Sequence, residues 1–369
     1  MKNSLIICFL FFAATFFLST IANAQKLHPG FDKAEYIELM KLNARTTAAP
    51  AYYNTIPEPQ HFRMLYQSHI MGLDNLWDLW IDSNSIAVIS IRGTTAKPES
   101  WLSNFYAAMV PARGELHLSE KGIFKYQLGT NPRSAVHIGW LVSTAFLSKD
   151  ILPKIDSLYK AGIKDMIIMG HSQGGAIAFL LTAYLYNLQK LDSLPADIRF
   201  KTYCSAGPKP GNLYFAYEYE AMTQYGWAYN VVNSADWVPE TPMSIQTTDD
   251  YNNSNPFIDA KKMINKMKFP KNLALRYAYS RLDNPTKAAR RRYQNYLGGM
   301  VSKAIKKQLP GFKAPVYYNS NHYTRAGNTI VLMADSAYFK QFPESKTNLF
   351  PHHFHPPYLY LAERLPETK

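Results

Sequence analysis

Gly170-His171-Ser172-Gln173-Gly174 is the run whose residue types and spacing point most directly to chemistry. It fits Gly-x-Ser-x-Gly, in which a serine on a strained strand-to-helix turn projects its hydroxyl above a sheet. Gly170 and Gly174 stand where side chains would obstruct that turn. The apolar Met166-Ile167-Ile168-Met169 before it is long enough for a buried strand, and Gly175 to Leu181 after it begins a buried helix. Such a helix aims its free N–H groups and positive end at Ser172. The chemistry implied is nucleophilic attack on a carbonyl carbon, which needs a base for the hydroxyl and donors for the oxyanion.

Arg92-Gly93-Thr94-Thr95, at the end of the apolar run Ile86 to Ile91, is a candidate source of donors. A glycine followed by a small hydroxyl residue at a strand end leaves backbone N–H groups uncovered, although an ordinary turn has the same look. Asp236, in Ser234-Ala235-Asp236-Trp237-Val238-Pro239, is a candidate acid that on its own is equally a solvated loop residue. His171 reads as a packed elbow residue rather than a second base. Cys204 reads as a buried strand residue with no base assigned to it.

The elements that must position these groups follow the chain. Phe31 to Leu42 is spaced for a helix, and Phe62 to His69, Leu76 to Ile81 and Ile86 to Ile91 form an antiparallel meander. Val136-His137-Ile138-Gly139-Trp140 leads a helix over Leu141 to Tyr159 that stops at Ala161-Gly162. After the elbow come a strand over Phe200 to Cys204, a helix over Leu213 to Tyr225 and a strand over Tyr229 to Asn233. Alternation of strand and helix predicts parallel pairing, with ligands beyond the carboxyl ends of the strands. Ser172 and Asp236 both fall at such ends.

Met1 to Ala24 has one charge, an apolar core over Leu5 to Leu18 and an Ala22-Asn23-Ala24 site, the design of a secretory signal peptide cleaved after Ala24. The apolar run is too short for a membrane anchor, so a soluble secreted or periplasmic chain is expected. Removing 24 of the 369 residues leaves 345, with Cys204 as the sole cysteine. The core alone must then hold the fold.

The ordered motifs resemble class 3 lipases, the fungal-lipase-like branch of the α/β-hydrolases. The resemblance runs through Arg92-Gly93-Thr94, Trp101, Val136-His137-Ile138-Gly139, the elbow with Gly175-Ala176, and Pro208-Lys209-Pro210-Gly211-Asn212. It continues at Asn233 and Asp236-x-Val238-Pro239 and closes at His355-x-x-Tyr358, about 260 residues in all. It implies an α/β-hydrolase fold with a central, mostly parallel sheet flanked by helices. The roles it implies are Ser172 as nucleophile, Asp236 as acid, His355 as base, and the N–H groups of Thr94 and Gln173 as oxyanion hole. The order Ser, Asp, His agrees with this class. Spacing to Tyr358 selects His355 over His353, and Pro356 biases His355 toward an extended backbone. His322 arrives too early. The family usually has leucine at position 173, but the N–H acts there whatever the side chain.

The expected function is hydrolysis of carboxylic esters, acylglycerols or other lipid esters, through an acyl-enzyme and with no metal or cofactor. Phospholipase and feruloyl-type esterase are the alternatives within that chemistry. A catalytically weak lipid- or partner-binding protein is the alternative outside it.

One segment departs from the family pattern. Residues 256–313 are expected to be a basic helical insertion in a single domain over 25–369. Between Lys261 and Lys313 stand fifteen Lys or Arg against one acid, Asp283. Asn284-Pro285 reads as the start of a helix with an apolar stripe through Tyr293, Tyr296, Leu297, Met300, Val301, Ala304, Ile305 and Leu309. Phe257 to Lys268 repeats the design with Ala260, Met263, Ile264 and Met267 inward. Two readings follow: solvated helices packed on the core, or a patch facing anionic membrane or lipid surfaces. No nucleic acid is expected, because no recognition module accompanies the charge.

Overall fold

The computed structural model describes residues 26–366; the signal-peptide reading of residues 1–24 lies outside them. No helix among the described residues is long and apolar enough to cross a membrane.

The main sheet has seven strands, in spatial order Phe62–Gln67, Trp77–Asp82, Ile86–Ile91, Asp165–His171, Arg199–Ser205, Ala228–Asn233 and Asn328–Leu332. The first three pair antiparallel and every later pair is parallel. Ile86–Ile91 and Asp165–His171, in the middle of the sheet, are largely apolar without alternation because both their faces are covered. Met166 and Ile168 enter one core layer with the helices Ile138–Lys160 and Gln173–Lys190. Ile167 and Met169 enter the other, against Tyr36, Leu39 and Met40 of helix Lys33–Thr46 and Tyr358 and Leu361 of helix His355–Glu363. This is the α/β-hydrolase architecture, with helices on both sides of a mostly parallel sheet.

Local chemistry sets the helix ends. Asp32 caps Lys33–Thr46 by accepting from the Glu35 N–H at 2.9 Å, and His137 caps Ile138–Lys160 by accepting from the Trp140 N–H at 3.3 Å. Gly162, with φ of 83°, takes the left-handed conformation just past the latter helix.

The insertion differs from the sequence reading in three respects. Its helix starts at Lys271, and Pro285 lies inside Lys271–Gln294. Pro285 cannot donate to the Arg281 carbonyl, but Arg281 is exposed, so the loss there is not a buried one. The helix continues through a π-helical turn, Asn295–Met300, into Val301–Gln308. The wider turn shifts the phase of the apolar stripe: Tyr293, Ile305 and Leu309 are buried, whereas Tyr296 and Met300 are exposed. Gly298, in that turn, sits where a Cβ would come within 2.9 Å of both the Ala108 side chain and the Tyr317 ring. In the preceding helix, Ala260–Asn265, Met263 is exposed, as is Met267 just beyond it, because this short segment has no core surface to cover.

Candidate active site

The sheet delivers Ser172 at the end of strand Asp165–His171, with φ of 61°, in the left-handed region that non-glycine residues rarely occupy. The turn is tight enough that a Cβ on Gly170 would strike the Gly174 carbonyl, and one on Gly174 would strike the Ile91 carbonyl of the neighbouring strand. Both glycines are therefore steric requirements of the elbow. The Ser172 N–H donates to the Ser205 carbonyl at 2.9 Å, which fixes the elbow to the next strand.

Ser172 Oγ stands 2.8 Å from His353 Nε2, and His353 Nδ1 stands 2.8 Å from Asp236 Oδ2. Asp236 and His353 are buried. The second Asp236 oxygen accepts from the Val238 N–H at 3.0 Å, and the Tyr358 hydroxyl donates to Oδ2 at 2.8 Å. With Asp236 accepting at Nδ1–H, His353 presents an unprotonated Nε2 to the serine hydroxyl, the tautomer a general base requires.

His355 is not the histidine beside Ser172, a correction to the sequence reading. It opens the last helix and lines the same cavity as Ser172, but its ring nitrogens are bonded elsewhere. Its Nδ1 lies 2.7 Å from the Tyr52 hydroxyl and its Nε2 3.1 Å from Asn43 Oδ1. Its ring stacks on His171 with centroids 4.5 Å apart. Burial pushes its pKa down to about 3, helped by the neighbouring His353, so it stays neutral. The signal that misled was the spacing to Tyr358. That tyrosine does reach Asp236, but it lies five residues from the relay histidine rather than three.

His171 belongs to the support of the site. Its Nε2 lies 2.7 Å from the His353 carbonyl and its Nδ1 3.0 Å from Ser205 Oγ, which in turn meets the Tyr36 hydroxyl at 2.7 Å. A carbonyl only accepts, so Nε2 carries the proton and Nδ1 accepts from Ser205. Burial first, and then His355 and His353, keep the His171 pKa well below the ordinary histidine value. The helix Lys33–Thr46 thus reaches the loop of His353 through hydrogen bonds.

Thr94 and Gln173 line the same cavity as Ser172. As the first residue of its helix, Gln173 has an N–H with no intrahelical partner. Asn104, which sequence reasoning missed, ties the two positions together. Its Nδ2 donates to Thr94 Oγ1 at 2.9 Å, and its Oδ1 accepts from Gln173 Nε2 at 3.0 Å and from Trp140 Nε1 at 3.0 Å. Because Asn104 occupies Thr94 Oγ1 as an acceptor, the threonine proton is left to point elsewhere. Nothing local in Ser103-Asn104-Phe105 announces this function; it arises from the fold bringing three elements to one amide.

The cavity has a volume of about 620 Å³, and its walls include Tyr52, Trp101, Trp237, Tyr293, Phe350 and Phe354. An apolar chamber over a nucleophile suits an acyl chain better than a charged group. Cys204 is buried outside it, and burial raises its thiol pKa well above the usual value.

Residues 88–245 match the family model described as Lipase (class 3). Over that segment, a little under half of its length, the chain is similar to the class 3 lipases. No curated protein matches it. Among solved structures, the chain is similar to Lip2 lipase from Yarrowia lipolytica at 18% identity and a TM-score of 0.44, covering 59% of this chain and 77% of that one. It is similar to Rhizomucor miehei lipase in its propeptide complex at 19% identity and a TM-score of 0.41, covering 58% of this chain and 65% of that one. The lipase from Rhizopus microsporus var. chinensis is similar at 18% identity and a TM-score of 0.40, covering 61% and 76%. The match over 88–245 spans the elbow, Thr94 and Asp236; the histidine loop, the N-terminal helix and the basic insertion lie outside it.

Proposed function

We propose that this protein is a secreted serine hydrolase of carboxylic esters with apolar acyl chains, acylglycerols foremost. Residues 25–369 act as one hydrolase domain after removal of residues 1–24. Ser172 attacks the ester carbonyl as His353 Nε2 takes its proton, and Asp236 holds the ring and stabilises the imidazolium. The oxyanion is met by the N–H groups of Thr94 and Gln173, with the Thr94 hydroxyl as a further donor. His353 then protonates the leaving alcohol, and the acyl-enzyme is hydrolysed by water activated at the same nitrogen. The observation that carries this reading is the Ser172, His353, Asp236 relay, both links at 2.8 Å.

A fluorophosphonate probe tests it. Intact protein is expected to be labelled and Ser172→Ala is not; a folded protein that stays unlabelled overturns the reading. Within it, hydrolysis of a series of esters that rises with acyl-chain length supports lipid esters. A maximum at acetate would reassign the substrate to short-chain esters.

A further inference from the structure

The helical arm Lys271–Gln294 has two unlike ends. At its C-terminal end Tyr293, with Leu297 beyond it, forms part of the cavity wall. Along its N-terminal half and just before it, large apolar side chains stand in solvent: Phe269 is 79% exposed, Leu273 62%, Tyr277 64% and Leu282 74%. Leu273, Tyr277 and Arg281 follow one another at four-residue spacing, so they share one stripe, and the Arg281 guanidinium lies over the Tyr277 ring at 5.4 Å. The faces of Asp283 and Arg290 turn inward instead. Exposed apolar groups on this scale are unfavourable in water and mark a surface with a partner.

Charge says which partner. Among the described residues, carboxylates pair with only four of the fifteen basic side chains between Lys261 and Lys313: Lys261, Lys262, Lys287 and Arg290. The other eleven have no acid within ion-pair distance. A second copy of this face would bring like charges together, which argues against self-association. A nucleic acid would satisfy the charge but leave Leu273, Leu282, Met263 and Met267 without an apolar counterpart. An anionic bilayer satisfies both, with headgroup phosphates for Lys and Arg and the acyl boundary for the apolar side chains.

We propose that the segment from Ala260 to Gln294 is a docking surface for an anionic phospholipid bilayer. Docked there, the exposed apolar end of the arm sits roughly 30 Å along the helix from Tyr293, twenty residues at 1.5 Å each. The arm connects the membrane contact to the cavity wall. This surface does not depend on the hydrolase reading, since binding requires no turnover.

The test uses the full chain carrying Ser172→Ala, so that lipid is not consumed, and sedimentation with phosphatidylcholine vesicles that do or do not contain phosphatidylglycerol. Binding is expected only with phosphatidylglycerol and is expected to weaken as salt rises. Arg276→Gln with Arg281→Gln should weaken it about fivefold per charge removed. Leu273→Ser with Tyr277→Ser should abolish the part that survives high salt. All four positions are solvent-facing, and the same substitutions in the Ser172 background should leave hydrolysis of a soluble short-chain ester unchanged, which reports an intact fold. Equal binding to both vesicle types, absence of binding to either, or variants that bind like the parent would each overturn the proposal. Tighter binding to duplex DNA than to phosphatidylglycerol vesicles would reassign the surface to a nucleic acid.

Discussion

Two histidines, His353 and His355, lie two residues apart and have opposite surroundings. His353 has Ser172 on one nitrogen and Asp236 on the other. His355 has a tyrosine hydroxyl and an asparagine amide, which satisfy a neutral ring and offer it no proton to move. Substitution separates them: His353→Ala is expected to lower kcat by about 10⁴-fold or more and slow fluorophosphonate labelling correspondingly. His355→Gln should keep most of the labelling rate while lowering stability, because it disturbs only buried packing and two hydrogen bonds. Comparable loss of labelling in both variants would mean that His355 shapes the relay as strongly as His353 forms it.

At the scale of elements, buried histidines tie helices to their neighbours. His137 caps the helix Ile138–Lys160, and His355 bridges the last helix to Asn43 of the first. Burial holds both near a pKa of about 3 and His171 well below its ordinary value. An unfolded histidine titrates near 6.5, so below that pH the unfolded chain takes up protons that the folded chain refuses. Stability is therefore complete above about pH 6.5 and falls as the pH drops toward 3. Each such histidine contributes a slope approaching about 1.4 kcal/mol per pH unit. Urea unfolding at a series of pH values between 7 and 5 should show this decline, and His355→Gln should make it shallower. A stability that is flat across that range would contradict neutral burial of these rings.

Across the whole molecule, the lipase-family segment is completed by chain on either side of it. Tyr36, Leu39, Met40 and Leu42 of the first helix are fully buried against the second face of the sheet. At about 1.5–3 kcal/mol for each large side chain, that contact rivals a typical total stability of 5–15 kcal/mol. A chain beginning at residue 61 should accordingly lose the cooperative thermal transition seen by circular dichroism. Retention of that transition would show the helix to be an accessory. The same helix touches the site through Tyr36, Ser205 and His171, so core and chemistry share one support.

By itself the sequence determined what depends on neighbours along the chain: the elbow, its glycines and the apolar strands. Ser172 and Asp236 were legible because each sits at a strand end inside a short, constrained pattern. Which of His352, His353 and His355 meets the serine was decided by the tertiary structure, since a turn before the last helix sends side chains two residues apart to different partners. Asn104 was likewise invisible, because its worth lies in reaching Thr94, Gln173 and Trp140 from three elements at once. The arm's exposed apolar end was hidden for the converse reason. Periodicity gives the spacing of a stripe, but only packing says whether anything covers it, and a π turn after Gln294 changed which residues did the covering.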